Sequence, residues 1–225
     1  MEMSNVKAIF DNNVQKNVKK ITDVNGNILW YKVPDGYRKV EYLESSDGTS
    51  HIMTNILPTD TIKAEIKFQL NSTHRDGTGI FGAYPTNSNR FQIFGSTISL
   101  TFGIGGGYNN YNTKDSLSYS THIVVLDGKN RSVSLDGRSQ AATTGAYSSP
   151  IGISKLAIFA SNQGTTNRSP DNSKIYFVRI WDNDILTYHF IPVVRNTDEK
   201  PGMYDLVNDV FYTNAGTGEF TYGGG

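Results

Sequence analysis

Cysteine is absent from the 225 residues, which excludes disulfides, a thiol nucleophile and cysteine-ligated zinc or iron–sulfur sites. An excess of either charge is missing too. Twenty-one basic and 21 acidic side chains leave a formal net charge of zero, so no overall field draws the chain to nucleic acid or to an acidic membrane. Nucleic acid is therefore not an expected partner. No run approaches the eighteen apolar residues of a membrane-spanning helix, and the opening Met1–Phe10 lacks the basic start and unbroken apolar stretch of a secretory leader. Neither membrane insertion nor export is expected, and the lack of thiols fits a reducing cytoplasm. Twenty-two glycines and seven prolines are close to an average share, which argues against low-complexity disorder. The length suits one sizeable all-β domain with a short appendage, able to bury about 70 per cent of its unfolded surface without a covalent staple.

What is present is alternation. Ile62, Ala64, Ile66, Phe68 and Leu70 interleave with Lys63, Glu65, Lys67 and Gln69, the period of a strand with one buried face. Ile98, Leu100 and Phe102 repeat the pattern, as do Leu186, Tyr188 and Phe190. Further strands are expected at 79–84, 90–94, 121–126, 132–135, 156–159 and 174–181. Five Asp-Gly pairs, at 35–36, 47–48, 76–77, 127–128 and 136–137, punctuate these runs with turns. No amphipathic helix is evident, and no repeat of 20–50 residues suggests a solenoid or propeller. A dozen or so strands with one apolar face each predict two antiparallel sheets stacked face to face, a jelly-roll sandwich over residues 37–222. Residues 1–32 form short β-like pieces around Val6–Phe10, Asn17–Thr22 and Ile28–Tyr31, with Asn25-Gly26 as a hairpin turn. Such a piece is too small for its own core and must dock on the domain, on a copy of itself or on a larger assembly. Val33-Pro34-Asp35-Gly36 reads as the linker.

Several stretches resemble a known family. Tyr37-Arg38-Lys39-Val40-Glu41-Tyr42-Leu43-Glu44-Ser45-Ser46-Asp47-Gly48-Thr49-Ser50-His51-Ile52 is similar to the opening strands of concanavalin A-like, laminin-G-like domains of tailed-phage and prophage structural proteins. Lys174–Asp182, Phe190–Arg195, Gly202–Asn214 and Gly216–Phe220 resemble their closing segment. Val24-Asn25-Gly26-Asn27-Ile28-Leu29-Trp30 looks like a short N-terminal module of phage tail proteins. The resemblance implies a concanavalin A-like jelly roll on a virion surface, tail or capsid exterior, made in the host cytoplasm. It also implies contacts to other virion proteins through the N-terminal segment. The closing motif has a plain structural reading as well: Tyr204, Leu206, Phe211 and Tyr212 pack across a hairpin turned at Asn208-Asp209, with Arg179 and Arg195 snorkelling or pairing with Asp205 or Asp182.

Sandwiches of this type include glycoside hydrolases, which need two carboxylates about 5–5.5 Å or 6.5–9.5 Å apart. Glu2, Glu41, Glu44, Glu65, Glu199 and Glu219 are scattered, no Glu-x-Asp occurs, and most aspartates sit in turns. No catalytic residue is nominated and no enzymatic activity is expected. Asp182-Asn183-Asp184 offers oxygen ligands to calcium but reads equally as a tight hairpin, without the longer acidic loop of a calcium site. His51, His74, His122 and His189 lack metal-ligand spacing. Neither a metal nor a cofactor is expected.

The segment Gly103-Ile104-Gly105-Gly106-Gly107-Tyr108-Asn109-Asn110-Tyr111-Asn112 lacks the Gly-Lys-Ser/Thr ending of a phosphate loop. It reads as a flexible glycine-rich loop whose two tyrosines and several amides suit a sugar: rings stack on pyranose C–H surfaces and amides bond hydroxyls. Tyr84, Arg90, Tyr108, Asn110 and Tyr111 are the candidate carbohydrate-binding residues; of these Tyr84 and Arg90 are secondary, as are the exposed-looking Asn87-Ser88-Asn89 stretch beside Arg90 and the loop 163–168. The competing reading is that Tyr108 and Tyr111 fold back over a sheet edge or form a subunit contact. Weak single sites gain from repetition, so a homo-oligomer binding host cell-surface polysaccharide is expected. The alternative is a purely architectural virion component, a baseplate, tail, head-fibre or capsid-decoration subunit.

Overall fold

The computed structural model describes residues 19–46, 48–70, 78–95, 99–112, 120–150, 152–164, 167–168 and 173–224. Val6–Phe10, Ile98 and Asp76-Gly77 lie outside them. Among the described residues there is no helix. The strands in chain order begin with β1 (Lys20–Thr22), β2 (Ile28–Tyr31), β3 (Tyr37–Lys39), β4 (Tyr42–Ser45), β5 (Ile52–Met53), β6 (Ile62–Leu70) and β7 (Thr78–Thr86). They continue with β8 (Asn89–Gly95), β9 (Ser99–Ile104), β10 (Gly107–Asn112), β11 (Thr121–Asp127), β12 (Ser132–Leu135), β13 (Arg138–Ser139) and β14 (Ala157–Ile158). The last are β15 (Ser161–Asn162), β16 (Asn167–Arg168), β17 (Ser173–Asp182), β18 (Ile185–Arg195), β19 (Lys200–Asp205), β20 (Val210–Thr213) and β21 (Thr221–Gly223).

These strands make two stacked sheets and a separate hairpin. The larger sheet runs β13-β12-β11-β6-β17-β18-β19-β20, with β3 on β18 and β4 joining β17 to β21. The smaller runs β10-β9-β8-β7-β14-β5, with β15 on β7 and β16 on β15. Pairing is antiparallel apart from the Asn162–Ala83 bridge. The alternating residues of β6 are buried on the even positions and half-exposed on the odd ones, as period two requires. Phe68, Phe81, Phe91, Phe102, Phe159 and Phe190 are fully buried between the sheets, each contributing about 2–3 kcal/mol of burial. The chain is an all-β sandwich, and the carbon core between its layers sets which positions face outward.

The larger sheet departs from a simple one-face pattern at β18. Phe190 and Val194 belong to the inter-sheet core, while Ile191 and Val193 join Tyr204 and Leu206 in a second apolar cluster on the opposite face. Ile28, Tyr31, Tyr37 and Phe211 close over that cluster. Of the three docking destinations, the described hairpin β1–β2 takes the body of its own chain. Trp181 Nε1 donates to Asn27 Oδ1 at 2.8 Å, Leu186 N to the Asn25 carbonyl at 3.2 Å, and Lys20 Nζ to the Leu206 carbonyl at 2.7 Å. The turn is organised by Asp23, whose carboxylate accepts from Asn25 N, Asn27 N and Asn27 Nδ2, while Gly26 supplies a positive φ of 80°.

Two expectations need correction. Gly103–Asn112 is no flexible loop: β9 and β10 pair residue for residue from Ile104–Gly107 to Ser99–Asn112, and only Gly105 and Gly106 form the turn. Gly105 takes φ 57° with its Cα against Ser148, where a Cβ would meet Ser148 O at 2.4 Å, so the glycines serve a tight hairpin rather than mobility. The arginines also choose other partners. Arg195 forks onto Asp198 at 2.6 and 2.9 Å, and Arg179 reaches Glu65 at 3.2 Å. Asp205 is instead saturated by His189 N, Val207 N and Asn208 Nδ2, and Asp182 by Thr59 and Thr61 hydroxyls.

Candidate functional site

The face of the smaller sheet turned away from the core carries the candidate residues. On β8 the inward positions are Phe91 and Ile93, which leaves Arg90 and Gln92 on the other side. Register pairs Gln92 with both Gly82 and Gly103, and Gly103 with Tyr108. Two of these neighbours have no side chain. Arg90 fills that vacancy, since a Cβ on Gly103 would lie 2.4 Å from Arg90 Cδ. The arginine stem lies flat across β9 because glycine is there.

The guanidinium ends between two rings. Its central carbon is 5.0 Å from the Tyr84 ring centre and 4.6 Å from that of Tyr108, both within cation–π range. Tyr84 is brought in by an irregularity in the β7–β8 register between Ala83 and Thr86, just before the Asn87-Ser88 turn. That turn supplies the remaining contacts: Arg90 Nη2 donates to the Asn87 carbonyl and the Tyr84 hydroxyl to Asn87 Oδ1. Arg90 is only 7% exposed, whereas both tyrosines are half-buried. Burial draws the guanidinium below the ordinary arginine value, opposed by Tyr84 and Tyr108. Among the described residues no carboxylate lies within ion-pair distance of Arg90, and its Nε is buried without a hydrogen-bond partner.

Tyr108 is held on both sides. Besides its partner on β9, its N–H donates to the Thr144 carbonyl at 3.0 Å and its carbonyl accepts from Thr143 N at 3.0 Å, so residues 143–144 cap the outer edge of β10. Asn110, exposed, lies two residues further along the same face. Its Oδ1 accepts from Thr101 Oγ1 at 2.7 Å and its backbone N–H donates to Thr143 Oγ1 at 3.2 Å. Tyr111 falls on the alternate parity, in register with Leu100, and its side chain lies outside the described residues. The structure thus brings together Tyr84, Arg90 and Tyr108, places Asn110 beside them, and sets position 111 apart. Sequence reasoning missed Gly103 as the floor of the patch. Its signal was a glycine in the middle of a strand pattern, which marks close approach by another group.

Other chemistry-bearing groups are engaged in structure. Gln92 Oε1 accepts from Ser161 Oγ at 2.6 Å, and Asn162 spans Lys155 O and Gly164 N at 2.8 Å each, so the described start of the 163–168 loop is tied to the sheet. His122 Nδ1 is 2.7 Å from Asp136 Oδ2, while Asp136 Oδ1 accepts from Ile123 N at 2.8 Å; this pair clamps the turn after β12. Asn183 and Asp184 adopt φ of 47° and 68°, the two-residue hairpin geometry with positive φ at both positions, and Lys129 Nζ bonds Asp184 at 2.5 Å. Among the described residues no three His, Asp or Glu side chains converge.

The sequence matches no family model and no curated protein. The backbone is similar to the crystal structure of a "putative carbohydrate binding protein" from Bacteroides ovatus, with a TM-score of 0.56 and 12% identity. The match covers 83% of this chain and 60% of that one. At that identity the likeness establishes a common fold, an all-β sandwich, and carries no information about a virion.

Proposed function

We propose that the protein is a non-enzymatic carbohydrate-binding jelly roll whose ligand site is the Tyr84–Arg90–Tyr108 patch with Asn110 at its margin. One observation carries this reading: two half-exposed tyrosine rings and a flat guanidinium share the outward face of a rigid sheet, with an exposed amide beside them. Aromatic rings offer faces to the C–H surface of a pyranose while the polar groups meet its hydroxyls, and aromatic contacts of this kind add about 0.5–1.5 kcal/mol each beyond burial. The described role of the Bacteroides ovatus structure supports a saccharide as the ligand class. The setting is a virion surface, tail or capsid exterior, facing host cell-surface polysaccharide in several copies. That part rests on the resemblance of Lys174–Asp182 and Gly202–Asn214 to phage domains.

The test is calorimetric titration with isolated host wall polysaccharide. Wild-type protein binds, and Tyr108→Ala weakens binding about tenfold, equivalent to about 1.4 kcal/mol, with the melting temperature retained. Equal affinity of Tyr84→Ala, Tyr108→Ala and wild type, or no binding even by an oligomeric form, overturns the assignment. Release of reducing sugar during the titration would replace the non-enzymatic reading with a hydrolase.

A second reading, an architectural virion component, is favoured by the outer side of the N-terminal hairpin, where Val24 is 97% and Leu29 58% exposed. An assembly contact there would bury upward of about 1,000 Å². Cryo-electron microscopy of particles separates the two: the distal tail favours adhesion, and a capsid position with the hairpin buried favours decoration.

A further inference from the structure

Arg90 presents an electrostatic problem that the protein leaves unsolved. Buried cations are ordinarily paired with a carboxylate, because desolvation without a counterion is costly. Among the described residues, Arg90 has two ring faces, one backbone carbonyl and nothing anionic. Its Nε–H has no acceptor, and buried polar groups without partners are few in native structures and call for a cause. The ring quadrupoles offset part of the charge but accept no in-plane hydrogen bond. Nε is sealed from solvent and Nη2 already donates to the Asn87 carbonyl, so among the described contacts the Nη1 end of the guanidinium is the part left for something else.

We infer that this patch selects a saccharide unit carrying a single negative charge, held through the Nη1 end of the Arg90 guanidinium while Tyr84 and Tyr108 flank the sugar ring. The inference rests on the saccharide reading above and names the class of sugar. The count of charges sets the class. Of Tyr84, Arg90, Gln92, Thr101, Gly103, Tyr108 and Asn110, only Arg90 is ionised, so a monoanion leaves the patch neutral and a dianion leaves it uncompensated in a partly desolvated site. The planar fork of arginine matches two oxygens of a carboxylate or a phosphodiester alike. A hexuronate and a phosphodiester-linked sugar are the two sources of that chemistry.

The experiment follows the backbone amides of Gly103, Tyr108 and Asn110, together with the Arg90 Nε–H signal, by nuclear magnetic resonance. Methyl glucuronide, the methyl phosphodiester of glucose and neutral methyl glucoside are titrated separately into the full chain. At least one anionic probe shifts these signals with an affinity about tenfold or more above the neutral glucoside. Which anion does so identifies the source. Arg90→Gln abolishes the discrimination between anionic and neutral probes. Equal shifts by all three probes refute the charge selection and leave the saccharide site standing. No shift of these signals by any probe refutes both, and the wild-type comparison decides this even where Arg90→Gln fails to fold.

Discussion

Asp205 shows how one side chain holds a corner of the fold. It is fully buried, yet His189 N and Val207 N reach its Oδ1 at 3.0 Å each and Asn208 Nδ2 its Oδ2 at 2.6 Å. Truncation leaves three donors without an acceptor, so Asp205→Ala loses about 3 kcal/mol, measured as a lowered midpoint of urea unfolding with the slope unchanged. Its neighbour His189 carries a pH dependence. Burial first, then Arg179 and Lys39, push its pKa from 6.5 to about 3, so the folded chain keeps it neutral where the unfolded chain binds a proton. Its contribution is complete above pH 6.5 and is lost as pH falls through that value toward 3. Stability therefore rises with pH across this window, and His189→Phe flattens the rise in a series of thermal melts. Arg90 is tested through its support. In Gly103→Ala the new methyl displaces the Arg90 side-chain methylenes rather than backbone, so the fold survives at a cost of about 1–3 kcal/mol, while saccharide affinity falls about tenfold on the proposed reading.

Among the elements, the hairpin β1–β2 is the one added from outside the sandwich, and its seat depends on few polar contacts. Asn27→Ala removes the acceptor of Trp181 Nε1 and one partner of Asp23, loosening the hairpin by about 1–2 kcal/mol. Hydrogen exchange should then quicken in β1 and β2 while β6 and β17 keep their protection. The elements also show what was legible beforehand. The strands at 62–70 and 132–135 were readable because alternation with one buried face has a single structural answer. The pairing of β9 with β10 was obscured because Gly103, Gly105, Gly106 and Gly107 mimic a loop composition. Yet Gly107 is there because a Cβ would strike Ala146 O at 2.4 Å, a demand made by a segment far along the chain. Tyr84, Arg90 and Tyr108 could be nominated one at a time from their types, but their convergence depends on the strand order β10-β9-β8-β7 and on an empty position between them. Asn214, which accepts from His51 N and Gly216 N and so anchors the closing segment, gave no local sign of its contact with His51, since that partner lies 163 residues away.

For the molecule as a whole, the two sheets divide the work. Their inner faces hold the aromatic core, the outer face of the larger sheet receives the hairpin, and the outer face of the smaller one carries the Tyr84–Arg90–Tyr108 patch. Copies joined through the hairpin side would leave every patch open, and avidity would then exceed the single-site affinity by about 10²–10⁴; surface plasmon resonance of an artificially trimerised form against the monomer checks this. The hairpin shares no strand ladder with the larger sheet and is held by Asn27, the Asn25 carbonyl, Lys20 and an apolar cover. Mechanical tension between a gripped ligand and whatever grips the amino-terminal end would cross the thickness of the sandwich and reach contacts that peel apart in succession. The larger sheet, laddered continuously through β6, β17 and β18, resists in shear, so under pull the tether yields first and the sandwich remains intact.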